Sequence, residues 1–479
     1  MTPNELEERC RAVDWAALGR TLQGSVILTG DERMVLAKKQ FAAGQPLPLP
    51  QALVQCRSAS DVQRTLALLV ARSLPFSVRS GGHCFADLSS SAGVVLDLSE
   101  MNHVECQGDV ALAEPGAHAS RVSRALAAHG RVLPTGGCGL VALGGLGLVG
   151  GFGFLGRRYG LTADQIERMD VVLADGRLVR ASRDEAQDLY WALRGAGSGG
   201  FGIVTRLALR TFPLEPLTLC HGQWPLSEAA ALVALWQAWA PEADPDVNLE
   251  LGLALLDDDE TPPYVELFGV ILGNEARASE HFEALKRRLG PLASALHGRR
   301  LAPAQAADYL VGVLNHDGEP AWMPSLPYRD VAYQFTRSNF FDAPLGADAI
   351  RACVEALTVD RRYAQHRELE FIPWGGAYAR GDDTSCFPHR GARMMVRHTT
   401  VVGARSTPEL REHARGWVDA SWDTVRPQGH AGVYSGYADR RLEGWQRAYY
   451  GEHFPRLQQV KQKYDPGNVF RHAQSFGSL

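Results

Sequence analysis

Apolar positions in the first 210 residues fall into short runs separated by polar breaks, and the period of each run predicts an element. Ala52–Gln55 is short and apolar and predicts a strand. Ser58-Ala-Ser-Asp61 has capping-box character, and Val62–Ala71 follows it with helical periodicity. Phe76-Ser-Val-Arg79 predicts a second strand, running directly into Ser80-Gly81-Gly82-His83. Val94–Leu98 and Val110–Ala113 are further strand-like runs, and His118–His129 reads as a helix ended by Gly130. Met169–Ala174 and Arg177–Arg180 flank Asp175-Gly176, a favoured hairpin turn. Glu185–Arg194 is helical, and residues 4–19 predict one short amphipathic helix at the start. Alternation of strand and helix in this order predicts an α/β or α+β domain.

The run Thr135–Gly160 follows neither period. Eleven of the 25 residues from Gly136 to Gly160 are glycine. Glycine loses the most backbone freedom on folding, so this density argues against an ordinary helix or strand. Apolar residues alternate with the glycines, unlike a flexible Gly/Ser linker. The run reads as a buried wall against a flat or phosphorylated ligand. A second glycine cluster, Gly195–Gly202, feeds a strand at Ile203. Gly145-Leu-Gly147-Leu-Val-Gly150 fits GxGxxG but lacks the strand–turn–helix setting of a dinucleotide fingerprint, and no P-loop Gly-Lys-Ser/Thr follows. Gly81-Gly82 after a strand reads either as an anion-binding nest or as a plain turn. Cys138, the only thiol in the run, reads either as a buried small hydrophobe or as a thiolate favoured by nearby amides.

Composition narrows the class. A chain of 479 residues is long enough for two domains, and Pro213 and Pro216 mark a boundary. Beyond it glycine thins out and Trp224, Trp236, Trp239, Trp322, Trp374, Trp417 and Trp422 appear, as core packing or as the roof of a pocket for a bulky substrate. A net charge of −5 argues against nucleic-acid or polybasic membrane binding. The charged N-terminus has no apolar leader, and the eight cysteines are scattered without CxxC or metal-type spacing. The expectation is a cytoplasmic protein with reduced thiols, no membrane span and no bound metal.

Seven motifs in order carry a resemblance. They are Arg79-Ser-Gly-Gly-His83, the Pro134–Gly145 segment PTGGCGLVALGG, GGFGFLGRRYGL from Gly150, the GIVT strand from Gly202, Pro373–Arg380, Phe387-Pro-His-Arg390 and YDPGNVFRHAQS from Tyr464. Together they resemble the berberine bridge enzyme-like branch of the vanillyl-alcohol oxidase flavoproteins, over residue 50 to the C-terminus. The resemblance implies an α+β, two-domain PCMH-type FAD-binding fold. Residues 1–212 would form the N-terminal part of the FAD-binding domain. Residues 213–430 would form a substrate domain, an antiparallel sheet covered by helices, and 431–479 would return to the FAD-binding domain. It implies FAD held covalently at its 8α carbon by His83 and at C6 by Cys138, with Cys84 not an attachment site. Cofactor contacts are expected from Arg79, Ser80, Gly81, Gly82, Gly137, Val141, Gly144, Gly145, Gly150, Gly151, Gly153, Gly202, Ile203, Tyr437 and Asn468.

Tyr434-Ser-Gly-Tyr437 resembles the family's YxNY motif, which makes Tyr437 the candidate base, the alternative being a core or flavin-stacking tyrosine. A phenol starts near pKa ~10 and needs a cation or donor to depress it. Relatives present Gln or Glu to the substrate from the strand after Phe387-Pro-His-Arg390. Here Arg397 or His398 takes that place, and strand alternation allows only one of them to do so; His398 is preferred. Several positions depart from the family pattern: Phe152 replaces a tyrosine, Leu146 a histidine, Gly200 and Gly436 an asparagine, and Gln165 the second residue of a DN pair. The implied activity is an oxidase that returns electrons to O₂ as H₂O₂, acting on an alcohol, hemiacetal or amine of a bulky secondary metabolite. Alternatives are an oligosaccharide or hexose oxidase, a dehydrogenase with another acceptor, and a flavin-retaining protein without catalysis. Partners would be the small-molecule substrate and O₂, in a monomer or homodimer.

Overall fold

The computed structural model describes residues 2–37, 40–43, 48–198, 200–258, 260–316, 332–362, 364–381 and 383–477. Three large sheets organise it. The first contains Ser25–Leu28 (β1), Ala52–Gln55 (β2), Phe76–Arg79 (β3) and Val94–Asp97 (β4), in the order β1-β2-β4-β3. β2 and β3 both run parallel to β4, so the helix Ala59–Ala71 serves as a crossover. Ser58 caps that helix by accepting from the Asp61 N–H.

The second sheet contains Val104–Gln107 (β5), Val110–Ala113 (β6), Ile166–Val172 (β7), Leu178–Ser182 (β8) and Ile203–Arg210 (β9), antiparallel in the order β8-β7-β9-β6-β5. The hairpin β7–β8 turns at Asp175-Gly176, where Gly176 takes φ +83°.

The third sheet contains Leu217–Pro225 (β10), Val247–Leu255 (β11), Tyr264–Ile271 (β12), Leu296–Leu301 (β13), Ala332–Phe341 (β14), Gln365–Pro373 (β15) and Met394–Val402 (β16). Its order is β13-β10-β12-β11-β15-β16-β14, extended by a short parallel strand at Ala42–Ala43. Alternation gives the sheet two different faces. Leu249, Leu251, Leu253, Leu267, Leu369, Phe371 and Val396 pack into one core beneath the helices Ala229–Trp239, Ala347–Thr358 and Pro408–Val425. Asn248, Glu250, Phe268, Glu370 and Arg397 occupy the intervening positions and point the other way.

Two local expectations change. The N-terminal helix is two helices, Pro3–Arg11 and Trp15–Thr21, because Asp14 accepts from the Ala17 N–H and starts the second. The glycine wall contains a helix after all, Leu143–Val149. Packing overrides propensity there. A Cβ on Gly144 would lie 2.6 Å from Pro115 Cβ and 2.8 Å from Ser80 Oγ, so only glycine permits the approach. The wall then turns at Gly150 and Gly151, with φ of +124° and +78°.

The tryptophans are core. Trp224, Trp236, Trp374, Trp417 and Trp422 are buried in three separate apolar cores, and Trp239 packs against the core of Trp224, Trp236 and Trp417, so they do not form a pocket roof. Trp322 lies outside the described residues.

Candidate active site

A cavity of about 610 Å³ lies between the two glycine clusters, the polar face of the third sheet and the segment around Tyr437. The turn after β3 brings in Ser80, Gly81, Gly82 and His83. The wall supplies Gly137, Cys138, Val141, Gly144, Gly145 and Gly153, the second cluster supplies Gly202 and Ile203, and the C-terminal segment supplies Tyr437. Residues far apart in the chain therefore line one space.

Four expected contacts stand behind this lining. Arg79 is buried and turned away, its Nε donating to Asp97 Oδ2 at 2.9 Å, so it anchors the strand that carries the turn. Gly150 packs against Phe387. Gly151 packs against Thr162 and donates its N–H to the Tyr434 hydroxyl at 2.9 Å. Asn468 turns the chain at φ +48°, and its neighbours Phe470, Arg471 and His472 reach the cavity instead.

His83 and Cys138 meet the same space. The His83 ring stacks on Phe41 at 3.8 Å, and among the described residues its buried Nδ1 has no hydrogen-bond partner. Burial, with some help from His118, pushes the His83 pKa down to about 3, so the imidazole is neutral and nucleophilic. The Cys138 thiol is pushed up by burial; the amides of Leu140 and Val141 and the Arg397 charge act the other way without prevailing. The amides do not by themselves make it a thiolate. Cys84 also lines the cavity and is likewise pushed up by burial. The residues fit a flavin: an orphaned imidazole nitrogen, a thiol, and Gly145, where a Cβ would stand in open space.

The polar face of the third sheet carries the charge. Arg397 NH1 donates to the Tyr437 hydroxyl at 3.3 Å, and NH2 reaches Glu368 Oε1 and Glu370 Oε2, each at 2.7 Å. Burial disfavours the Arg397 charge, but Glu370 and Glu368 hold it firmly protonated. Glu368 is burdened by burial too, yet Arg397 and His366 bring it down to about 2. Glu250 is raised well above the usual carboxylate range by burial and by the neighbouring Glu370 carboxyl. Burial also raises Glu370, against the pull of Arg397. Tyr437 is pushed up to about 12 because burial outweighs Arg397.

His398 lies on the opposite face of β16. It is buried, its Nδ1 pairs with Ser421 Oγ at 2.9 Å under the helix Pro408–Val425, and burial drives it down to about 3. The preference for His398 over Arg397 is therefore reversed: alternation turns Arg397 to the cavity and His398 to the core. The sequence reading missed Glu250 and Glu370. Their signal was available in Arg367-Glu-Leu-Glu-Phe371 and Asn248-Leu-Glu250, where acids alternate with large apolar residues on strands too apolar to be solvated.

The FAD binding domain family matches residues 50–182, and the berberine and berberine-like family matches residues 433–476. An FAD-linked oxidoreductase of Bacillus subtilis, YgaK, is 28% identical over 90% of this chain and 92% of its own length. A carbohydrate oxidase of Microdochium nivale is 26% identical over 89% of this chain and 88% of its own. The berberine bridge enzyme of Eschscholzia californica superposes with a TM-score of 0.84 at 21% identity, covering 97% of this chain and 99% of that one, which shows a shared fold. With an FAD binding domain, a berberine-like segment, FAD-linked oxidoreductases similar over nine-tenths of the chain, and the α+β PCMH-type fold around the cavity, the chain is an FAD-linked oxidoreductase similar to the berberine bridge enzyme-like proteins.

Proposed function

We propose that this oxidoreductase is an oxidase: it oxidises an alcohol, hemiacetal or amine and returns the electrons to O₂ as H₂O₂. FAD, held by His83 and Cys138 through two covalent links, supplies the hydride acceptor. The observation that carries the reading is Tyr437, hydrogen-bonded by Arg397 on the wall that His83 and Cys138 share. Tyr437 contacts the O–H or N–H whose proton must leave as the C–H hydride departs. Arg397 orients the phenol, and the apolar lining keeps water from competing for it.

The favoured substrate is a bulky ring-bearing metabolite. Phe85, Phe152, Phe154, Phe268 and Tyr309 give the cavity flat apolar walls suited to rings. An oligosaccharide or hexose is the second reading, favoured by the polar strip of Glu250, Glu370 and Arg397 and by the relative named as a carbohydrate oxidase. We read residues 1–212 with 431–479 as the cofactor unit and 213–430 as the substrate unit, a division that follows the sheets apart from the strand Ala42–Ala43. Among the described residues no helix is long and apolar enough to cross a membrane. All eight cysteines are unpaired, which supports a reducing compartment such as the cytoplasm.

Anaerobic mixing with cellobiose, benzyl alcohol and benzylamine tests the reading. Bleaching of the flavin by one of them, with H₂O₂ formed on readmitting O₂, is the expected result. Bleaching without H₂O₂ would mean a dehydrogenase. No bleaching by hemiacetal, alcohol or amine would contradict the proposed chemistry.

A further inference from the structure

We propose that Asn248 and Tyr378 are positioning residues: from the substrate unit they grip the backbone of Gly153 and Phe154, and so fix the gap between the glycine wall and the strand that carries Glu250. The rate readouts below rest on the oxidase reading above, to which this adds how the two sides of the cavity are held at one distance.

Gly153 and Phe154 both line the cavity. The Gly153 N–H donates to the Tyr378 hydroxyl at 3.0 Å, and that hydroxyl donates back to the Gly153 carbonyl at 2.9 Å. Asn248 Nδ2 donates to the same carbonyl at 3.2 Å and to the Phe154 carbonyl at 3.1 Å. Both polar groups of Gly153 thus reach side chains of the other unit. Asn248 and Tyr378 are 2% and 1% exposed, so water does not compete for these bonds. Asn248 stands two residues before Glu250 on the same face of β11. Tyr378 lies in the turn Gly376–Arg380 that follows β15, the strand of Glu370.

Contact is as close as the hydrogen bonding. A Cβ on Gly156 would lie 1.9 Å from the Tyr378 hydroxyl oxygen, and one on Gly153 would lie 2.1 Å from the Thr135 carbonyl oxygen. The wall is therefore wedged on both sides at this point. The grip is also returned. Arg157, fully buried, comes from the wall's own helix Gly156–Tyr159. Its Nε donates to the Val247 carbonyl at 3.1 Å, NH1 to the Pro241 carbonyl at 2.9 Å and to the Trp374 carbonyl, and NH2 to the Ala243 carbonyl at 2.7 Å. Val247 immediately precedes Asn248, and Trp374 immediately follows β15. The wall thus binds the ends of the two strands that present Glu250 and Glu370 to the cavity. A buried guanidinium is costly to leave without acceptors, so sliding one unit past the other is opposed from both directions.

In the oxidase reading the wall is the cofactor's side of the cavity and the strands are the substrate's side. Hydride transfer depends steeply on the approach of donor and acceptor, and a misplacement of about 1 Å costs on the order of 100-fold. Neither Asn248 nor Tyr378 belongs to the cavity lining. Loosening their grip therefore lowers the rate at saturating substrate and leaves substrate affinity nearly untouched.

Two measurements test the grip. Hydrogen exchange on the wild-type holoenzyme needs neither substrate nor variant: peptides containing Gly153 should keep that amide protected for hours, and its exchange within about a minute would overturn the proposal. Tyr378→Phe removes the hydroxyl and keeps the ring, and Asn248→Leu removes the donor at similar size. Each should keep its FAD and slow saturated anaerobic bleaching on the order of 10-fold, with the half-saturating concentration changed less than about threefold. The probe is whichever of cellobiose, benzyl alcohol or benzylamine reduces the wild type. A lowered melting temperature with an unchanged saturated rate would make the contacts merely structural and overturn the proposal. A change in half-saturation alone would place the two residues in substrate binding and overturn it as well. If no probe bleaches the wild type, the oxidase reading fails, and the exchange result alone decides the grip.

Discussion

Arg397 stands directly opposite Glu370 across the β15–β16 pair, its NH2 2.7 Å from Glu370 Oε2. One guanidinium thus serves the phenol with one nitrogen and two carboxylates with the other. A lysine keeps the charge but not the fork. Arg397→Lys should therefore lose roughly 10-fold in the rate of flavin reduction, and Arg397→Met roughly 100-fold, with FAD retained in both. Stopped-flow reduction with the flavin spectrum recorded beforehand checks this. Equal losses in the two variants would mean that charge alone matters.

The glycine wall makes a paired prediction. Gly144→Ala places a methyl 2.6 Å from Pro115 Cβ, a clash within the fold. It should cost about 1–3 kcal/mol and lower the melting temperature. At Gly145 a Cβ meets nothing of the protein and stands in the cavity. Gly145→Val should keep the melting temperature of the cofactor-free protein and lose FAD. Thermal scans together with flavin content per chain separate the two effects.

His398 governs stability rather than turnover. Burial lowers it to about 3 in the folded chain, against ~6.5 when unfolded. Between those values the unfolded chain binds the proton and the folded chain does not. This contribution is therefore complete above about pH 6.5 and is lost as pH falls toward 3. His398→Gln should unfold less steeply with acid than the wild type while reducing its flavin at the wild-type rate. Melting curves from pH 4 to 8 read the first effect and anaerobic bleaching the second. A rate loss of 10-fold or more would return His398 to the active site.

The C-terminal segment is tied down by a buried ion pair. Lys461 Nζ donates to Asp465 Oδ2 and to the Gly200 carbonyl, each at 2.7 Å, with both side chains almost fully buried. Removing one partner leaves the other charge unpaired, at a cost of about 3–5 kcal/mol. Asp465→Asn should show this in denaturant unfolding, and it should loosen Phe470 and His472 at the cavity edge. Lys461→Met with Asp465→Leu should recover much of the loss.

Much of the first domain was legible from local pattern. The strands Ala52–Gln55, Phe76–Arg79 and Val110–Ala113 fall where short apolar runs end at turn residues. The helix Leu143–Val149 was not legible, because glycine propensity argues against it and only its packing on Pro115 and Ser80 explains it. Alternation showed that Arg397 and His398 part company. Which one faces the cavity depends on helices folded from residues 229–239, 347–358 and 408–425. Glu250 and Glu370 come together from strands more than a hundred residues apart, and no local period records that meeting.

Intact mass under denaturing conditions, followed by peptide mapping, decides whether this cavity holds a tethered flavin. The expected mass is that of the chain plus one FAD, with flavin on the peptides containing His83 and Cys138. Flavin on His83 alone would leave the cavity assignment standing and remove the thiol link. A chain at its bare mass, with FAD released free or none present, would contradict the assignment of this cavity to a tethered flavin.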